Sequence, residues 1–347
     1  MKKRTAALIL LIALCALAMT AYAQGEKRMF TDSLGREVEI DAEITRIAVT
    51  GPLGQIVVFA IAPDLMVGIP NEWDPEAKEF LDEVYYNLPV LGQVYGGKGE
   101  MNLEELLMAG PQVVIDVGEP KEGVVQDLDA LSEQTGIPFV HVSAYIDSMD
   151  ETYLMLGELL GRPQEGGVLA DYCRRTYDRS VSLMDGVTRV SIMYVTGEKG
   201  LNVLARGSFH SAVIDMMADN AAVVDHPISK GTGNEVDMEQ MLLWNPEVIV
   251  FSDESIYDNV ADDPLWQSMD AIASGRYYEV PVGPYNWLNT PPSVQRLLGM
   301  MWLGTLLYPD AVDYDLYEET ALYYELFYHC ELTRPQFDAL MAKSLSR

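Results

Sequence analysis

The feature that most restricts the fold of this chain is a short unit that occurs twice. The first copy is Asn102-Leu-Glu-Glu-Leu-Leu-Met-Ala-Gly-Pro-Gln-Val-Val-Ile115, and the second, 135 residues later, is Asp237-Met-Glu-Gln-Met-Leu-Leu-Trp-Asn-Pro-Glu-Val-Ile-Val250. In each copy an N-cap residue, followed at the third position by Glu or Gln, predicts a short helix that stops at a proline. The apolar run after the proline predicts a buried parallel strand. Unless this common helix–strand pattern arose twice by chance, the chain has two lobes of similar build.

Strands and helices alternate along both halves of the chain. This alternation predicts an α/β fold with largely parallel sheets, arranged as two Rossmann-like lobes with a ligand cleft between them. The predicted strands are 46–50, 66–69, 113–117, 138–142, 190–195, 248–251 and 277–280. The predicted helices are 54–60, 75–84, 103–108, 124–135, 209–218, 238–243 and 294–306.

The segment between the two halves has a different pattern. Residues 148–187 are almost continuously compatible with helix, and the only breaks are Gly161-Arg162-Pro163 and Gly166-Gly167. The pattern predicts a long connecting α-helix that joins the lobes. The predicted organisation is an N-terminal lobe over 24–147, the connecting helix over 148–187, and a C-terminal lobe with a helical tail over 188–347.

The first 23 residues have the pattern of a secretory signal peptide. A positive stretch, Lys2-Lys3-Arg4, precedes an apolar stretch and the small-x-small site Ala21-Tyr22-Ala23. This pattern predicts cleavage before Gln24 and a periplasmic or extracytoplasmic protein. Two alternatives stay open: a retained N-terminal anchor, and lipid attachment at Cys15, which Leu14 disfavours because a small residue usually precedes a lipidated cysteine.

The charge balance restricts the partners of the protein. The chain has 53 acidic and 23 basic residues, a formal net charge of −30, and loss of Lys2-Lys3-Arg4 would take it to −33. We expect no nucleic-acid partner, because phosphate binding needs a basic surface. Outside the leader, Cys173 and Cys330 are too few for a disulfide framework, although an oxidising compartment would permit a bridge between them.

Motifs for catalysis and for intrinsic metal binding are incomplete. Gly92 to Lys98 spells the start of a P-loop, but Gly99 replaces the Ser or Thr that binds Mg²⁺. The histidines form no His-Glu-x-x-His motif, and the chain has no Gly-x-Ser-x-Gly elbow. We therefore expect a protein that is not an enzyme and has no intrinsic cofactor, so that a metal arrives only as part of a bound ligand.

Segments across nearly the whole mature chain resemble one family of transport proteins. These segments are Phe30-Thr-Asp-Ser-Leu-Gly-Arg-Glu-Val-Glu-Ile40, Ile44-Thr-Arg-Ile-Ala48, the unit from Asn102 to Ile115, Gly207-Ser-Phe-His210, Pro284-Tyr-Asn-Trp287 and Pro291-Pro-Ser293. They resemble the helical-backbone (class III) periplasmic binding proteins of ABC importers for iron-siderophore, haem and cobalamin-type ligands. Some similar proteins take other chelated metals, including nickel.

The resemblance implies a solute-binding component that captures a chelated metal and delivers it to a membrane permease. An iron-siderophore complex is the first expectation; haem, cobalamin and a nickel chelate are alternatives. An exported enzyme that acts on a metal chelate is the alternative from another class. In the family, one surface carboxylate on each lobe meets arginines of the permease, and the matching positions here are near Glu76 in the N-terminal lobe and Asp215 or Asp219 in the C-terminal lobe.

Candidate ligand-binding residues lie in the loops that follow the predicted strands. Ligands of open α/β sheets bind outside the carboxyl ends of the strands, and aromatic and basic side chains there suit a large, anionic chelate. The predicted cleft residues are Trp73, Tyr95, Lys98, Arg206, His210, Tyr285 and Trp287. For Tyr285 and Trp287, packing beneath the next helix is the alternative.

Overall fold

The computed structural model describes residues 26–95 and 100–345. The predicted signal peptide and Lys98 lie outside these residues. An antiparallel hairpin and two separate sheets built mainly from parallel pairs, with helices packed on them, confirm the predicted α/β class. None of the helices in the described part of the chain is long and apolar enough to cross a membrane.

The N-terminal half contains the hairpin and a small parallel sheet. The hairpin pairs β1 (Lys27–Thr31) with β2 (Glu37–Asp41), and the sheet has the order β3 (Ile47–Val49), β4 (Val113–Gly118), β5 (Phe139–Ser143). The strand predicted over 66–69 is reduced to single bridges, from Met66 to Ile47 and from Ile69 to Val90. Pro70 follows directly, and it has no N–H group with which to continue a ladder.

Four helices of this half are α1 (Pro52–Ile61), α2 (Glu83–Tyr86), α3 (Leu103–Ala109) and α4 (Val124–Thr135). The helix predicted over 75–84 is wrong as one element. A 3-10 turn over Pro75–Glu79 ends first, and α2 then begins at its own N-cap, Asp82, whose side chain accepts a hydrogen bond from the Val84 amide. The cap satisfies a free N–H group and so starts a new helix.

The connecting segment is a pair of helices rather than one helix. Helix α5 (Met149–Leu160) ends at Gly161, which has a left-handed φ of 68°, and α6 (Pro163–Met184) begins two residues later. Gly166 lies inside α6 and is not a break. A Cβ atom there would lie 3.0 Å from the Cα of Gly157 and 2.6 Å from the Tyr153 carbonyl oxygen. Glycine is therefore required at Gly166 because the two helix backbones touch.

The C-terminal half contains a second sheet with the strand order β11-β10-β6-β7-β9. Strand β10 pairs in parallel with β6 and β11, whereas β7 runs antiparallel to β6 and β9, and β8 adds a short parallel pair to β6. The strands are β6 (Ser191–Thr196), β7 (Asn202–Val203), β8 (Asp219–Asn220), β9 (Asn234–Glu235), β10 (Val248–Phe251) and β11 (Tyr277–Glu279). The helices are α7 (Ala212–Met217), α8 (Met238–Trp244), α9 (Asp270–Ala273), α10 (Arg296–Leu307), α11 (Leu316–Tyr323) and α12 (Arg334–Leu340).

The sequence repeat is also a structural repeat. In both halves a seven-residue helix, α3 or α8, leads into a buried parallel strand, β4 or β10. The Asn102 side chain caps α3, and the Asp237 side chain caps α8. Both helices end in a left-handed residue, Gly110 with φ 58° and Asn245 with φ 34°. In both lobes, therefore, the same capped helix and left-handed turn position the central strand and its carboxyl end.

One apolar core joins the two halves. It contains β3 and β4 residues of the first half, β6 and β10 residues of the second, and much of the connecting pair and the tail. The tail reaches back to the first half, where a π-helical turn over Tyr324–Tyr328 packs against α1. His329 Nε2 lies 3.2 Å from the carbonyl oxygen of Phe59. The tail thus ties the C-terminal half to the first helix of the N-terminal half.

Candidate functional site

A cavity of about 230 Å³ lies between the two halves, at the carboxyl ends of β4 and β5. Its walls come from the N-terminal half, from α6 and from the start of α10. The polar and aromatic side chains that matter below are Glu119, Asp147, Tyr177, Phe209, Ser293 and Arg296. This is the position at which ligands bind in open α/β sheets.

Arg296, the first residue of α10, is a nearly buried cation with no carboxylate partner. Its side chain is held by main-chain oxygens, with Nε 3.2 Å from the Leu288 oxygen and Nη2 2.9 Å from the Phe209 oxygen. The guanidinium also lies 4.9 Å from the centroid of the Phe209 ring. No carboxylate of the described residues comes within 4.0 Å of it. Burial lowers the pKa of Arg296 to about 10, so the group is still charged at neutral pH.

A further donor lies beside Arg296. Ser293 lines the cavity, and its buried hydroxyl has no hydrogen-bond partner in the described part of the chain. Both residues stand at the start of α10, and a helix N-terminus carries a partial positive charge. The guanidinium and the hydroxyl together form a donor set suited to an anion.

The opposite wall carries negative charge. Glu119 follows β4 and Asp147 follows β5, and both carboxylates line the cavity from exposed positions. The Glu119 charge acts on Arg296 and raises its pKa, against the larger lowering by burial. The cleft is therefore polarised, with acids on the N-terminal side and the cation and donors on the C-terminal side.

A larger hollow of about 350 Å³ lies elsewhere, between the hairpin and α4. Its cation, Arg36, contacts Asp32 at 2.6 Å and Asp129 at 2.8 Å, so its charge is already neutralised. The hollow is open to solvent and far from the carboxyl ends of the second sheet. It has the features of a surface depression rather than of a ligand site.

The structure places Trp73 and Tyr285 at the junction of the two halves. Their ring centroids are 5.7 Å apart, both side chains are almost fully buried, and Trp73 Nε1 donates to the Tyr85 oxygen at 3.1 Å. Trp287 is fully buried and does not line the 230 Å³ cavity, so its role as a cleft residue stays a prediction. The chain at Trp287 passes tightly over α10, where a Cβ atom on Gly299 would lie 2.4 Å from the Trp287 oxygen.

Tyr95, Arg206 and His210 are not brought together. The Tyr95 hydroxyl donates to Asp127 at 3.2 Å. Arg206 is exposed and binds within its own lobe, to the Asn220 oxygen and to Asp219. His210 Nδ1 is hydrogen-bonded to Asn289, and burial lowers the pKa of the imidazole. None of the predicted cleft residues that the structure describes lines the 230 Å³ cavity.

The predicted docking acids have different surroundings. Glu76 is exposed on the turn before α2. Asp215 is committed internally, because its oxygens accept from the Gly207 amide at 2.7 Å and from Ser211 Oγ and Asn220 Nδ2, both at 2.8 Å. Asp219 is exposed and is paired with Arg206. The carboxylate of Asp215 therefore fixes the local loop, and docking through Glu76 and through Asp215 or Asp219 stays a prediction.

A buried polar row crosses the first sheet beside the cleft. Thr50 Oγ1 donates to Asp116, whose other carboxylate oxygen lies 2.7 Å from His141 Nδ1. His141 Nε2 is 3.4 Å from Ser143 Oγ, too long for a nucleophile activated by a base, and His141 is 1% exposed. The row links three strands. No group of three or more His, Cys, Asp or Glu side chains in residues 26–95 and 100–345 could hold a metal ion.

Sequence reasoning missed the charged residues of the cleft, although two signals were present. Arg296 opens a helix, RLLGMMWLGTLL, whose other side chains carry no charge. A lone charge beside such an apolar run is either paired or functional. Glu119 follows the predicted strand 113–117 closely, at the edge where ligands bind. The apolar neighbours of Arg296 indicated only a buried helix. Glu119 did not stand out among the 53 acidic residues of the chain.

The comparisons with known proteins agree with this architecture. The molybdate-binding protein MolA of Haemophilus influenzae is 25% identical over 92% of this chain and 95% of its own length. A solved ABC transporter solute-binding protein of Sulfurospirillum deleyianum is 26% identical, with a TM-score of 0.82 over 91% of this chain and 99% of that one. The Fe(3+)-citrate-binding protein YfmC of Bacillus subtilis is 22% identical over 53% of this chain and 58% of its own length.

The periplasmic binding protein family matches residues 53–282, which include strands β4 to β11 and the connecting pair. The family and its solved relatives are transport binding proteins that take up small solutes. The two lobes, the helical connection between them and the cleft at the strand ends are all present here. The chain therefore belongs to the periplasmic binding protein family and is a solute-binding protein of an ABC transporter.

Proposed function

We propose that the protein captures a small metal-containing ligand with anionic oxygens in the cleft between its lobes. These oxygens bind the Arg296 guanidinium and the Ser293 hydroxyl. The observation that carries this proposal is Arg296, a nearly buried cation without a carboxylate partner in the described structure. Burial of an unpaired charge is costly, and an anionic ligand would offset that cost at the point where it binds.

The relatives supply the class of anion. Two relatives are a molybdate-binding protein and an Fe(3+)-citrate-binding protein, and both ligands are anions that contain a metal. The cavity of about 230 Å³ is below the roughly 300–1,000 Å³ typical of pockets for drug-sized ligands. A compact ligand therefore fits this cavity better than a large macrocycle such as haem or cobalamin.

An iron-siderophore complex, the first expectation from the sequence, is the second candidate. The aromatic side chains of Tyr145, Tyr177 and Phe209 on the cavity wall favour it, because aromatic rings bind conjugated chelators. Such a ligand needs the lobes to move apart beyond the closed cleft seen here. Delivery to a membrane permease from an extracytoplasmic location is the remaining part of the proposal, in keeping with the family.

Isothermal titration calorimetry with molybdate, ferric citrate, nickel(II)–histidine and a ferric siderophore tests the proposal. We expect saturable binding of at least one of the first three ligands. Loss of a hydrogen bond to a charged group is worth about 1.5–3 kcal/mol, so Arg296→Gln should raise Kd by about 10- to 150-fold. Arg206→Gln, which removes an exposed arginine outside the cleft, is the matched control.

Ser293→Ala separates binding from folding. Because the Ser293 hydroxyl has no partner in the described structure, its loss should not lower the midpoint of thermal unfolding. It should raise Kd by about two- to tenfold if the hydroxyl contacts the ligand. Equal affinities of wild type, Arg296→Gln and Ser293→Ala for every ligand that binds would contradict the proposal, as would saturable binding of the siderophore alone.

A further inference from the structure

The cleft has two chemically different walls, and only one of them suits an anion. Arg296 and Ser293 lie on the C-terminal side, whereas Glu119 and Asp147 lie on the N-terminal side and on the segment that leads into α5. Tyr145 and Tyr177, each with a titratable hydroxyl, also line the cavity. The lining thus carries two carboxylates and one guanidinium around a small volume.

This arrangement penalises an ordinary oxyanion. An ion such as molybdate or sulfate presents only acceptor oxygens in every direction. When it binds Arg296, its far oxygens face the carboxylates across the cavity, where neither side can donate a hydrogen bond. Unpaired like charges of this kind are a common means by which proteins reject a wrong ligand. A ligand with N–H, O–H or metal-cation character on its far face meets no such penalty.

We propose that Glu119 is a specificity-determining residue, which selects two-faced metal chelates over aprotic oxyanions. This inference rests on the function proposed above. The selected ligand carries carboxylate oxygens toward Arg296 and amine, water or metal groups toward Glu119. Glu119 is the better placed of the two acids, because it follows the central strand β4 directly and its charge acts on Arg296. Asp147 shares the wall and reinforces the same selection.

Binding measured with two probes of opposite character tests the proposal. Wild type should bind nickel(II)–histidine at least tenfold more tightly than molybdate. Glu119→Gln replaces a charge with a neutral amide of the same shape. The variant should bind molybdate at least fivefold more tightly and nickel(II)–histidine at least fivefold more weakly than wild type. Glu122→Gln, an exposed acid in the same loop outside the cavity wall, should leave both affinities unchanged.

Opposite changes for the two probes are the signature of a selective carboxylate, which a merely structural role would not produce. Changes in the same direction, or no change, would overturn the inference. So would a preference for molybdate in wild type that Glu119→Gln leaves unaltered.

A ligand-free measurement distinguishes failure of this inference from failure of the proposed function. The midpoints of thermal unfolding of Glu119→Gln, Arg296→Gln and the double variant form a double-mutant cycle. Non-additive shifts show that the two charges face each other across the cleft. If the shifts are non-additive but neither probe binds, the proposed ligand class is wrong and the polarised cleft stands. If the shifts are additive and neither probe binds, both the polarised cleft and the proposed ligand class are wrong.

Discussion

His210 illustrates how burial changes a single side chain without making it a ligand. The imidazole is half-buried beside the Asn289 amide, and the Lys230-Gly231 loop lies against it, since a Cβ atom on Gly231 would lie 3.6 Å from His210 Cε1. Burial is the main cause of its lowered pKa, and the positive charge of Arg296 adds to the effect. A residue with these surroundings resists protonation in the folded state.

The lowered pKa of His210 predicts a pH dependence of stability. As the pH falls below the ordinary value of 6.5, the unfolded chain takes up a proton at His210 before the folded protein does. The free energy of unfolding therefore decreases with falling pH, until the folded protein is protonated as well. His210→Gln should show a smaller decrease over this window. Urea unfolding of both proteins at several pH values measures the difference, and parallel curves would contradict the assignment.

Local sequence predicted charge and chemistry better than it predicted which side chains share a cleft. A cation in a strand-end loop suggests an anion site, and on this ground the sequence predicts Arg206 as a cleft residue. The structure shows Arg206 bound to Asn220 and Asp219 in its own lobe. In the proposed function, that role belongs to Arg296, at the start of a helix. The choice between them depends on contacts between residues far apart in the chain, such as that from Arg296 to Phe209, and no local pattern encodes these.

At the scale of elements, the contact between α5 and α6 sets the geometry of the connection. The helix backbones meet at Gly157 and Gly166, where each glycine leaves room for the other. Close packing at such a crossing leaves little freedom for the two helices to slide. The connecting pair therefore acts as a rigid link, and closure of the cleft has to come from small movements at the ends of the pair.

Neighbouring glycines of α6 give a matched pair of substitutions. Gly166→Ala places a methyl group 2.6 Å from a backbone oxygen that cannot move away cheaply, so it should destabilise the protein by about 1–3 kcal/mol. Gly167→Ala meets nothing within 4 Å and should stabilise it by about 0.5–1 kcal/mol, the usual gain of alanine over glycine within a helix. Midpoints of urea unfolding report both values; the same sign for the two variants would contradict the account of the crossing.

Elements with a clear local pattern were predicted with the right bounds, whereas two-residue strands were not. The ranges of α4 and β10 match their predictions, because strong apolar patterns and clear stop signals define both. Strands β7, β8 and β9 contain two residues each and were missed. A pair of residues carries no periodicity, so such strands exist only because the neighbouring strand edge is there to bind them.

At the scale of the whole molecule, Glu76 is the predicted docking residue for the permease on the N-terminal lobe. Glu76 is exposed and forms no ion pair with any described residue, as a docking carboxylate would require. A single exposed pair contributes about 0–1 kcal/mol, so Glu76→Lys should weaken uptake by up to about fivefold while ligand affinity stays unchanged. Uptake assays paired with calorimetry measure both. Glu331→Lys, an exposed acid on the tail, is the control, and equal uptake by the two variants would refute Glu76 as a docking residue.

The contact between the tail and α1 has a consequence for how the protein is made. Helix α1 is translated early, but its partners at Tyr324–Tyr328 and His329 emerge from the ribosome only near the end of synthesis. At about 5–20 residues per second, that interval lasts on the order of 15–50 s. Throughout this time the part of α1 that packs against the tail lacks its native cover, and the first lobe lacks that part of its core. A nascent chain that stays open in this way remains available to chaperones and can still be threaded through a narrow channel.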